Sequence, residues 1–99
     1  MSEDRSVIEG DRTLLLVDDD KPFLTRLARA METRGFIVTT ADAVSEALAA
    51  VRASPPAFAV IDMRLGDGNG LDVVTALRDK RADSKIVILT GYGNIATAV

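Results

Sequence analysis

Short apolar runs alternate along the chain with longer segments in which apolar residues recur every three or four positions. The runs at residues 13–17, 57–61 and 85–89 are typical of strands in a buried sheet, and the short β-branched segment at residues 36–40 is predicted as a further strand. Helical spacing between the strands predicts three amphipathic helices, with apolar faces Leu24, Leu27, Ala28 and Met31, then Val44, Ala47, Leu48 and Val51, then Leu71, Val74 and Leu77. A further helix is predicted to begin at about Asn94.

Residues with special backbone preferences mark where these helices begin and end. Asp20 is placed to cap the first helix, and Pro22 is tolerated in its first turn because that position needs no N–H donor. Gly35 is a natural stop for the same helix, and the pair Pro55-Pro56 ends the second one. The helices are therefore predicted to be short and clearly bounded.

The alternation of strands and helices predicts the fold class. Strands separated by helices of about 10 to 15 residues form βαβ units, so an α/β fold with a doubly wound parallel sheet is expected. Ligands bind such sheets outside the carboxyl ends of the strands. The side chains at those ends are Asp18, Asp19 and Asp20 after the first strand, Asp62 after the third and Thr90 after the fourth.

Carboxylates at two strand ends predict a cation site. If the first and third strands are neighbours, Asp18, Asp19 and Asp62 converge on one pocket. Two carboxylates about 4 Å apart repel by roughly 4 kcal/mol at an effective dielectric of about 20, and a divalent cation relieves that repulsion. Mg²⁺ suits such a site because it binds one or two carboxylates and keeps waters and phosphate oxygens as further ligands. The alternative is a solvated acidic loop, and Asp20 is assigned to the helix cap alone.

The composition narrows the available chemistry. The 99-residue chain is 47% hydrophobic and 27% charged, which suits one globular domain. It has no cysteine and no histidine, which excludes disulfides, thiolate or imidazole zinc sites and histidine-assisted nucleophiles. A net charge of −3 argues against a basic face for nucleic acid. No segment has the apolar length of a signal peptide or membrane span, so a soluble, cytoplasmic protein is expected.

Three stretches of the sequence carry a resemblance to a known family. They are LLLVDDDKPFLTRLARAMETRGF, DMRLGDGNGLDVV and IVILTGYGNIATAV, which lie between residues 14 and 99. This pattern resembles the receiver domain of two-component response regulators. In detail it is similar to the global redox response regulators of the RegA/PrrA/ActR/RegR type in α-proteobacteria. The resemblance implies a flavodoxin-like (receiver) sheet with strand order 2-1-3-4 and the function of a transcriptional regulator.

The resemblance also implies a role for each site residue. Asp62 would accept a phosphoryl group from the phosphohistidine of a sensor histidine kinase. Asp18, Asp19, Asp62 and the backbone carbonyl of Arg64 would hold Mg²⁺. Thr90 would turn inward to bond a phosphoryl oxygen, and this step would move the loop and helix after the fourth strand. The chain would then be a phosphoacceptor and not an enzyme.

The sequence departs from the family pattern in one loop and at its end. Gly66 stands where the glycine-rich loop at residues 64–70 usually has a proline. Receivers have about five βα units, so the fifth unit is expected to be missing, together with the lysine that pairs with the acyl phosphate. Lys85 cannot replace that lysine, because it begins the fourth strand at the opposite end of the sheet.

The predicted layout is a flexible N-terminal arm at residues 1–12 and a truncated receiver domain at residues 13–99, with the DNA-binding output domain absent. Truncation would leave the fourth strand as an unpaired apolar edge. We expect a dimer or a swapped oligomer through that edge or through the cut last helix. DNA would be bound only through the absent output domain, and no membrane partner is expected.

Four features of the sequence suggest alternatives to a phosphorylated receiver. A phosphorylation-incompetent pseudo-receiver or dimerisation fragment is suggested by the missing lysine. A haloacid-dehalogenase-like phosphatase would use the D-x-D of Asp18 and Asp20, but Pro22 stands where that pattern needs threonine or valine. The glycines at 91 and 93 fit a dinucleotide-binding G-x-G-x-x-A, yet the later acid of that fold has no place in the chain. An EF-hand at residues 67–70 fails for lack of its further ligands.

Overall fold

The structure is a computed structural model that describes residues 10–90 and 95–98. Within these residues the elements, in chain order, are β1 (Thr13–Val17), α1 (Lys21–Thr33), β2 (Ile37–Ala41), α2 (Val44–Ala53), β3 (Phe58–Asp62), β4 (Arg64–Leu65), β5 (Gly68–Asn69), α3 (Gly70–Lys80), β6 (Lys85–Leu89) and β7 (Ile95–Ala98). Each of the four predicted strands is present to within one residue at either end.

The main sheet of the described residues has the strand order β2-β1-β3-β6-β7. Its β2, β1, β3 and β6 strands are parallel, so the predicted order 2-1-3-4 is confirmed, with β6 as the fourth strand. The carboxyl ends of β1, β3 and β6 therefore lie at one edge of the sheet. The predicted glycine-rich loop contains the short antiparallel hairpin of β4 and β5, which is separate from the main sheet.

The two faces of the main sheet are covered unequally. On the face that α2 and α3 cover, the buried core consists of Leu15, Val17, Ala41, Val44, Ala47, Val51, Ala59, Ile61, Leu65, Val73, Leu77, Ile86 and Ile88. On the face that α1 covers, Leu14 and Leu16 pack with Leu24, while Phe58 and Val60 are only partly buried. Successive residues of β1 thus point to opposite cores, as the strand period of two requires.

Helix α1 begins and ends where the sequence predicts. The Asp20 carboxylate accepts a hydrogen bond from the N–H of Phe23 at 3.1 Å, which confirms it as the N-cap, and Pro22 lies in the first turn. The helix ends at Thr33, and Gly35 follows with φ of 98°, a left-handed conformation that glycine adopts at little cost.

The predicted apolar face of the third helix is wrong at one position. Leu71 is 43% exposed, whereas Val73 and Leu77 are fully buried. The helix begins at Gly70, so Gly70, Val73 and Leu77 are spaced by three and four residues and share the buried face. Leu71 is rotated away from that face by about 100°, the turn per residue of an α-helix. The predicted Val74 is partly buried against the core.

The end of the chain also differs from the prediction. Residues 95–98 form β7, which pairs antiparallel with β6, so the helix predicted from about Asn94 is wrong over the residues that the structure describes. Asn94 itself lies outside the described residues. The backbone groups at the edge of β6 bond to β7, and the prediction of an unpaired β6 edge is therefore also wrong. The segment IATA contains β-branched residues, which favour a strand when an open edge is available.

The segment before β1 is fixed to the rest of the fold by Asp11. Its carboxylate accepts hydrogen bonds from the N–H and the hydroxyl of Thr13 at 2.9 and 2.6 Å, and it pairs with Arg81 at 2.7 Å. The bonds from Thr13, followed by that from Arg81, lower the pKa of Asp11 to about 2. Residues 1–9 of the predicted arm lie outside the described residues. In the part of the chain that is described, no helix has the length and apolar character needed to cross a bilayer.

Candidate functional site

The sheet register brings Asp18 and Asp62 side by side. Val17 pairs with Ile61, so Asp18, directly after β1, lies level with Asp62, the last residue of β3. One carboxylate oxygen from each of Asp18, Asp19 and Asp62 can be chosen so that all three lie within 4.8 Å of one another. The structure thus gathers the three acids that the sequence singled out, although Asp62 is 43 or more positions further along the chain.

The backbone holds Asp18 in place. Its N–H donates to the carbonyl of Ala41, at the end of β2, at 3.1 Å, and its Oδ1 accepts the N–H of Asp20 at 2.9 Å. Asp18 is only 9% exposed, whereas Asp19 and Asp20 are exposed. The acidic run therefore divides by exposure: Asp18 is buried, Asp19 is exposed, and Asp20 is exposed and caps α1.

The carboxylates of Asp18 and Asp62 are electrostatically unfavourable in the ionised form. Burial is the main cause that raises the pKa of Asp18, with further increases from the charges of Asp62 and Asp19. Burial also raises the pKa of Asp62 most strongly, and the charge of Asp19 adds to it. The N–H of Asp20 opposes the first shift and that of Arg64 opposes the second. Both carboxylates are therefore harder to ionise than an aspartate in water.

The loop after Asp62 folds back tightly against it. The N–H of Arg64 points to Oδ1 of Asp62 at 3.4 Å, the N–H of Met63 donates to the carbonyl of Leu89 at 2.9 Å, and Gly70 donates to the carbonyl of Met63 at 2.8 Å. A Cβ on Gly70 would overlap the carbonyl oxygen of Asp62 and lie 2.9 Å from Cγ2 of Ile61. Gly70 is therefore required for the close approach of α3 to β3, a role that its place in a glycine-rich loop did not reveal.

The other two predicted site residues, Thr90 and Arg64, come shortly after the ends of β6 and β3. Thr90 follows β6 and is half-buried, and because Leu89 pairs with Asp62, Thr90 leaves the sheet one position beyond the level of Asp62. Arg64 is exposed in β4, two residues after Asp62. Lys85 pairs with Phe58 at the opposite end of the sheet, as the sequence indicates.

Comparison with known proteins decides the family. A family model described as the response regulator receiver domain matches residues 14–99. This chain belongs to the response regulator receiver family. The receiver domain is 66% identical over 90 residues to the photosynthetic apparatus regulatory protein RegA of Cereibacter sphaeroides, a match that covers 91% of this chain and 49% of that protein. It is 58% identical over 96 residues to the acid tolerance regulatory protein ActR of Sinorhizobium medicae, covering 97% and 50%. The receiver domain therefore spans about half the length of these relatives.

Solved structures share the fold of this receiver domain. A response regulator from Burkholderia pseudomallei, solved with a phosphorylated aspartic acid, a calcium ion and citrate, superposes with a TM-score of 0.78 and 37% identity over 85% of this chain and 49% of that chain. The response regulator TrrA of Thermotoga maritima, in complex with Mg²⁺ and BeF, gives a TM-score of 0.74 and 28% identity over 83% and 71%. The predicted receiver fold and the similarity to regulators of the RegA and ActR type are confirmed.

The acidic cluster of the receiver domain fits a hard divalent cation. Its donors are carboxylate oxygens, which Mg²⁺ and Ca²⁺ prefer over nitrogen and sulfur. One of these carboxylates is buried, one is exposed and one is half-buried, and Mg²⁺ commonly keeps waters beside one or two carboxylates. The raised pKa values of Asp18 and Asp62 indicate that a nearby positive charge would stabilise both ionised groups.

A dependence of stability on pH follows from these shifts. An acid whose pKa is raised on folding binds more protons in the folded state than in the unfolded state. The free energy of unfolding therefore falls as the pH rises from 3.8, the ordinary pKa of aspartate, through the raised pKa of the folded state. In a cation-free receiver domain, Asp18→Asn should therefore gain stability over the native chain as pH rises from about 4 to about 7. Urea unfolding followed by far-UV circular dichroism would measure this difference.

The difference in free energy of unfolding between Asp18→Asn and the native chain separates the contribution of Asp18 from those of the other carboxylates. The pKa values of Asp11, Asp42 and Asp67 are lowered by hydrogen bonds, so the stability that they contribute is lost only as pH falls below about 3.8. A constant difference between Asp18→Asn and the native chain across this pH range would contradict the assigned electrostatics.

Proposed function

We propose that this receiver domain accepts a phosphoryl group on Asp62 with Mg²⁺ bound beside it. The main support for the proposal is that Asp18, Asp19 and Asp62 lie close together at the carboxyl ends of two neighbouring strands. The chain that holds them belongs to the receiver family. The phosphorylated aspartic acid and calcium ion of the Burkholderia pseudomallei response regulator support it. The complex of TrrA with Mg²⁺ and BeF supports it as well.

The transfer itself needs little covalent chemistry from the protein. An oxygen of the Asp62 carboxylate attacks phosphorus, and the bond from phosphorus to the donor breaks in line with the new bond. Asp18, Asp19, Asp62 and the backbone carbonyl of Arg64 would hold Mg²⁺, which neutralises negative charge on the phosphoryl oxygens when it is bound. The N–H of Arg64 orients the accepting carboxylate.

Thr90 is the proposed switch residue. It follows β6 directly after the position that pairs with Asp62, and its hydroxyl can donate a hydrogen bond to an oxygen of the phosphoryl group. If this hydroxyl turned inward, it would move the segment after Thr90. Residues 91–94 of that segment lie outside the described residues.

The proposed partners follow from the family. We propose a sensor histidine kinase as the phosphoryl donor and a role as acceptor in signalling rather than as an enzyme. Regulation of transcription and contact with DNA belong to a whole protein of the RegA and ActR type, about half of whose length this chain spans. Self-association stays part of the proposal, with the partly buried Phe58 and Val60 beside α1 as an apolar surface that could support it. The cytoplasmic location stays a prediction.

Acetyl phosphate tests the proposal without a kinase. The native chain, Asp62→Asn and Asp20→Asn are each incubated with Mg²⁺ and acetyl phosphate, and intact mass is measured. We expect one added phosphoryl group on the native chain and on Asp20→Asn, because Asn caps α1 as well as Asp does. Asp62→Asn should gain none. A native chain that is folded by circular dichroism but never gains the group would favour a pseudo-receiver, and an adduct on Asp62→Asn would place the acceptor elsewhere.

A further inference from the structure

The N-terminus of α2 is capped by a side chain from a distant part of the sequence. Its own N-cap residue, Ala43, makes no side-chain cap. Instead, Asp67 accepts the N–H of Val44 on Oδ1 at 2.7 Å and the N–H of Ser45 on Oδ2 at 3.1 Å, across 23 and 22 residues. A negative charge is favoured at a helix N-terminus, and these two bonds lower the pKa of Asp67. The carboxylate therefore joins two elements that are far apart in sequence.

Gly68 and Leu65 show that the same region lies close to α2 and to the core beneath it. Asp67 lies in the turn of the hairpin that β4 and β5 form. Its neighbour Gly68 is so close to α2 that an added Cβ would lie 3.3 Å from Cγ2 of Val44. Leu65, on the other strand of the hairpin, is buried in the core that α2 helps to form. The two hydrogen bonds of Asp67 thus join the hairpin to α2 where Gly68 already passes close to Val44.

The hairpin also determines the surroundings of Asp62. Its first residue, Arg64, directs its N–H to the Asp62 carboxylate, and Gly70, directly after its second strand, bonds to the carbonyl of Met63. Only Met63 separates Asp62 from the hairpin. A displacement of the hairpin would therefore move both the carboxylate of Asp62 and the carbonyl of Arg64.

We propose that Asp67 is a positioning residue for the acceptor site: by fastening the hairpin to α2, it sets the place of Asp62 and of the Arg64 carbonyl. This inference rests on the function proposed above. Gly66, in the same turn as Asp67, does not supply this restraint. Gly66 is exposed, and a Cβ there would touch nothing within 4 Å, so Gly66 itself restrains nothing.

Mg²⁺ affinity separates a positioning role from a simple helix cap. A cap alone would lower the stability of the fold and leave the cation site of the folded chain unchanged. Groups that orient metal ligands without touching the metal typically change metal affinity by roughly 10-fold or more when they are removed. We therefore expect Asp67→Ala to raise the Kd for Mg²⁺ roughly 10-fold and to slow phosphorylation by acetyl phosphate by a similar factor.

The experiment is a calorimetric titration of the 99-residue chain with Mg²⁺, at a temperature where circular dichroism shows every variant to be folded. Asp67→Asn keeps one acceptor oxygen, so its Kd for Mg²⁺ is expected to lie between those of the native chain and Asp67→Ala. If Asp67→Ala does not fold, Asp67→Asn is compared with the native chain instead. Asp79→Asn is the matched control: it removes the same charge from an exposed position on α3, and its Kd should equal that of the native chain.

The outcomes distinguish this inference from the proposed function. If both Asp67 variants lose thermal stability but bind Mg²⁺ as Asp79→Asn does, Asp67 is only a helix cap and the inference is overturned. If the native chain binds Mg²⁺ but is never phosphorylated, the proposed function fails, while the ratio of Kd values still decides the role of Asp67. A native chain with no measurable affinity for Mg²⁺ would overturn both.

Discussion

Replacing Gly70 with alanine is expected to lower the free energy of unfolding by about 3 kcal/mol, the upper part of the range for overpacking. The new Cβ would overlap the carbonyl oxygen of Asp62 and crowd Ile61. A backbone oxygen cannot rotate away as the end of a side chain can, so α3 or β3 has to move. Thermal unfolding by circular dichroism should show the midpoint lowered by roughly 12–24 °C, given the size of the domain.

Gly66→Ala is the matched control for this prediction. Both glycines lie in the loop after the acceptor, but a Cβ at position 66 would meet open space, and Gly66 does not have a positive φ. Its effect is expected to stay within about 0.5 kcal/mol, as for most surface substitutions. Equal midpoints for the Gly70 and Gly66 variants would show that α3 does not need the close approach to Asp62.

Asp18→Asn is expected to make the chain less responsive to Mg²⁺. Without the cation the substitution should stabilise the fold, because it removes a buried charge that Asp62 and Asp19 repel. With Mg²⁺ at about 100 times its Kd, the native chain should gain about 2.7 kcal/mol from binding. A variant that binds at least tenfold more weakly gains at most about 1.4 kcal/mol. Urea unfolding with and without Mg²⁺ measures both gains.

Asp20→Asn is the control for the Mg²⁺ prediction, since it removes one charge only two positions further along the chain. Asp20 is exposed and caps α1, and Asn is an equally good cap. This variant should gain nearly as much stability from Mg²⁺ as the native chain does. If Asp18→Asn shows the native gain as well, Asp18 does not contribute to the cation site.

Much of the parallel fold could be predicted because local signals and sheet topology agree. Asp20, Pro22 and Gly35 bound α1 by local backbone chemistry, and continuous apolar runs mark strands that are buried on both sides. The face of α3 was predicted wrongly at Leu71 because its apolar spacing fits two overlapping faces, and the fold buries the face that contains Gly70, Val73 and Leu77. Residues 95–98 were predicted wrongly because the open edge of β6, a tertiary feature, decides their conformation.

The position of the acidic cluster could be predicted because its residues lie at the ends of strands. Parallel strands of known order bring their last residues together, and this places Asp18 and Asp62 side by side. The supporting contacts could not be predicted in the same way. Asp67 reaches α2 across more than 20 residues, and the only local sign was that Ala43 offers α2 no capping side chain.

The central claim is that Asp62 is the phosphoryl acceptor, and locating the modified residue tests it most directly. Borohydride reduces an aspartyl phosphate to homoserine, so the native chain is treated with Mg²⁺ and acetyl phosphate, reduced, digested and sequenced by tandem mass spectrometry. We expect homoserine at position 62 and aspartate at positions 18, 19 and 20. Homoserine at one of those three positions, or unmodified aspartate at position 62 in a chain whose intact mass shows the adduct, would contradict it.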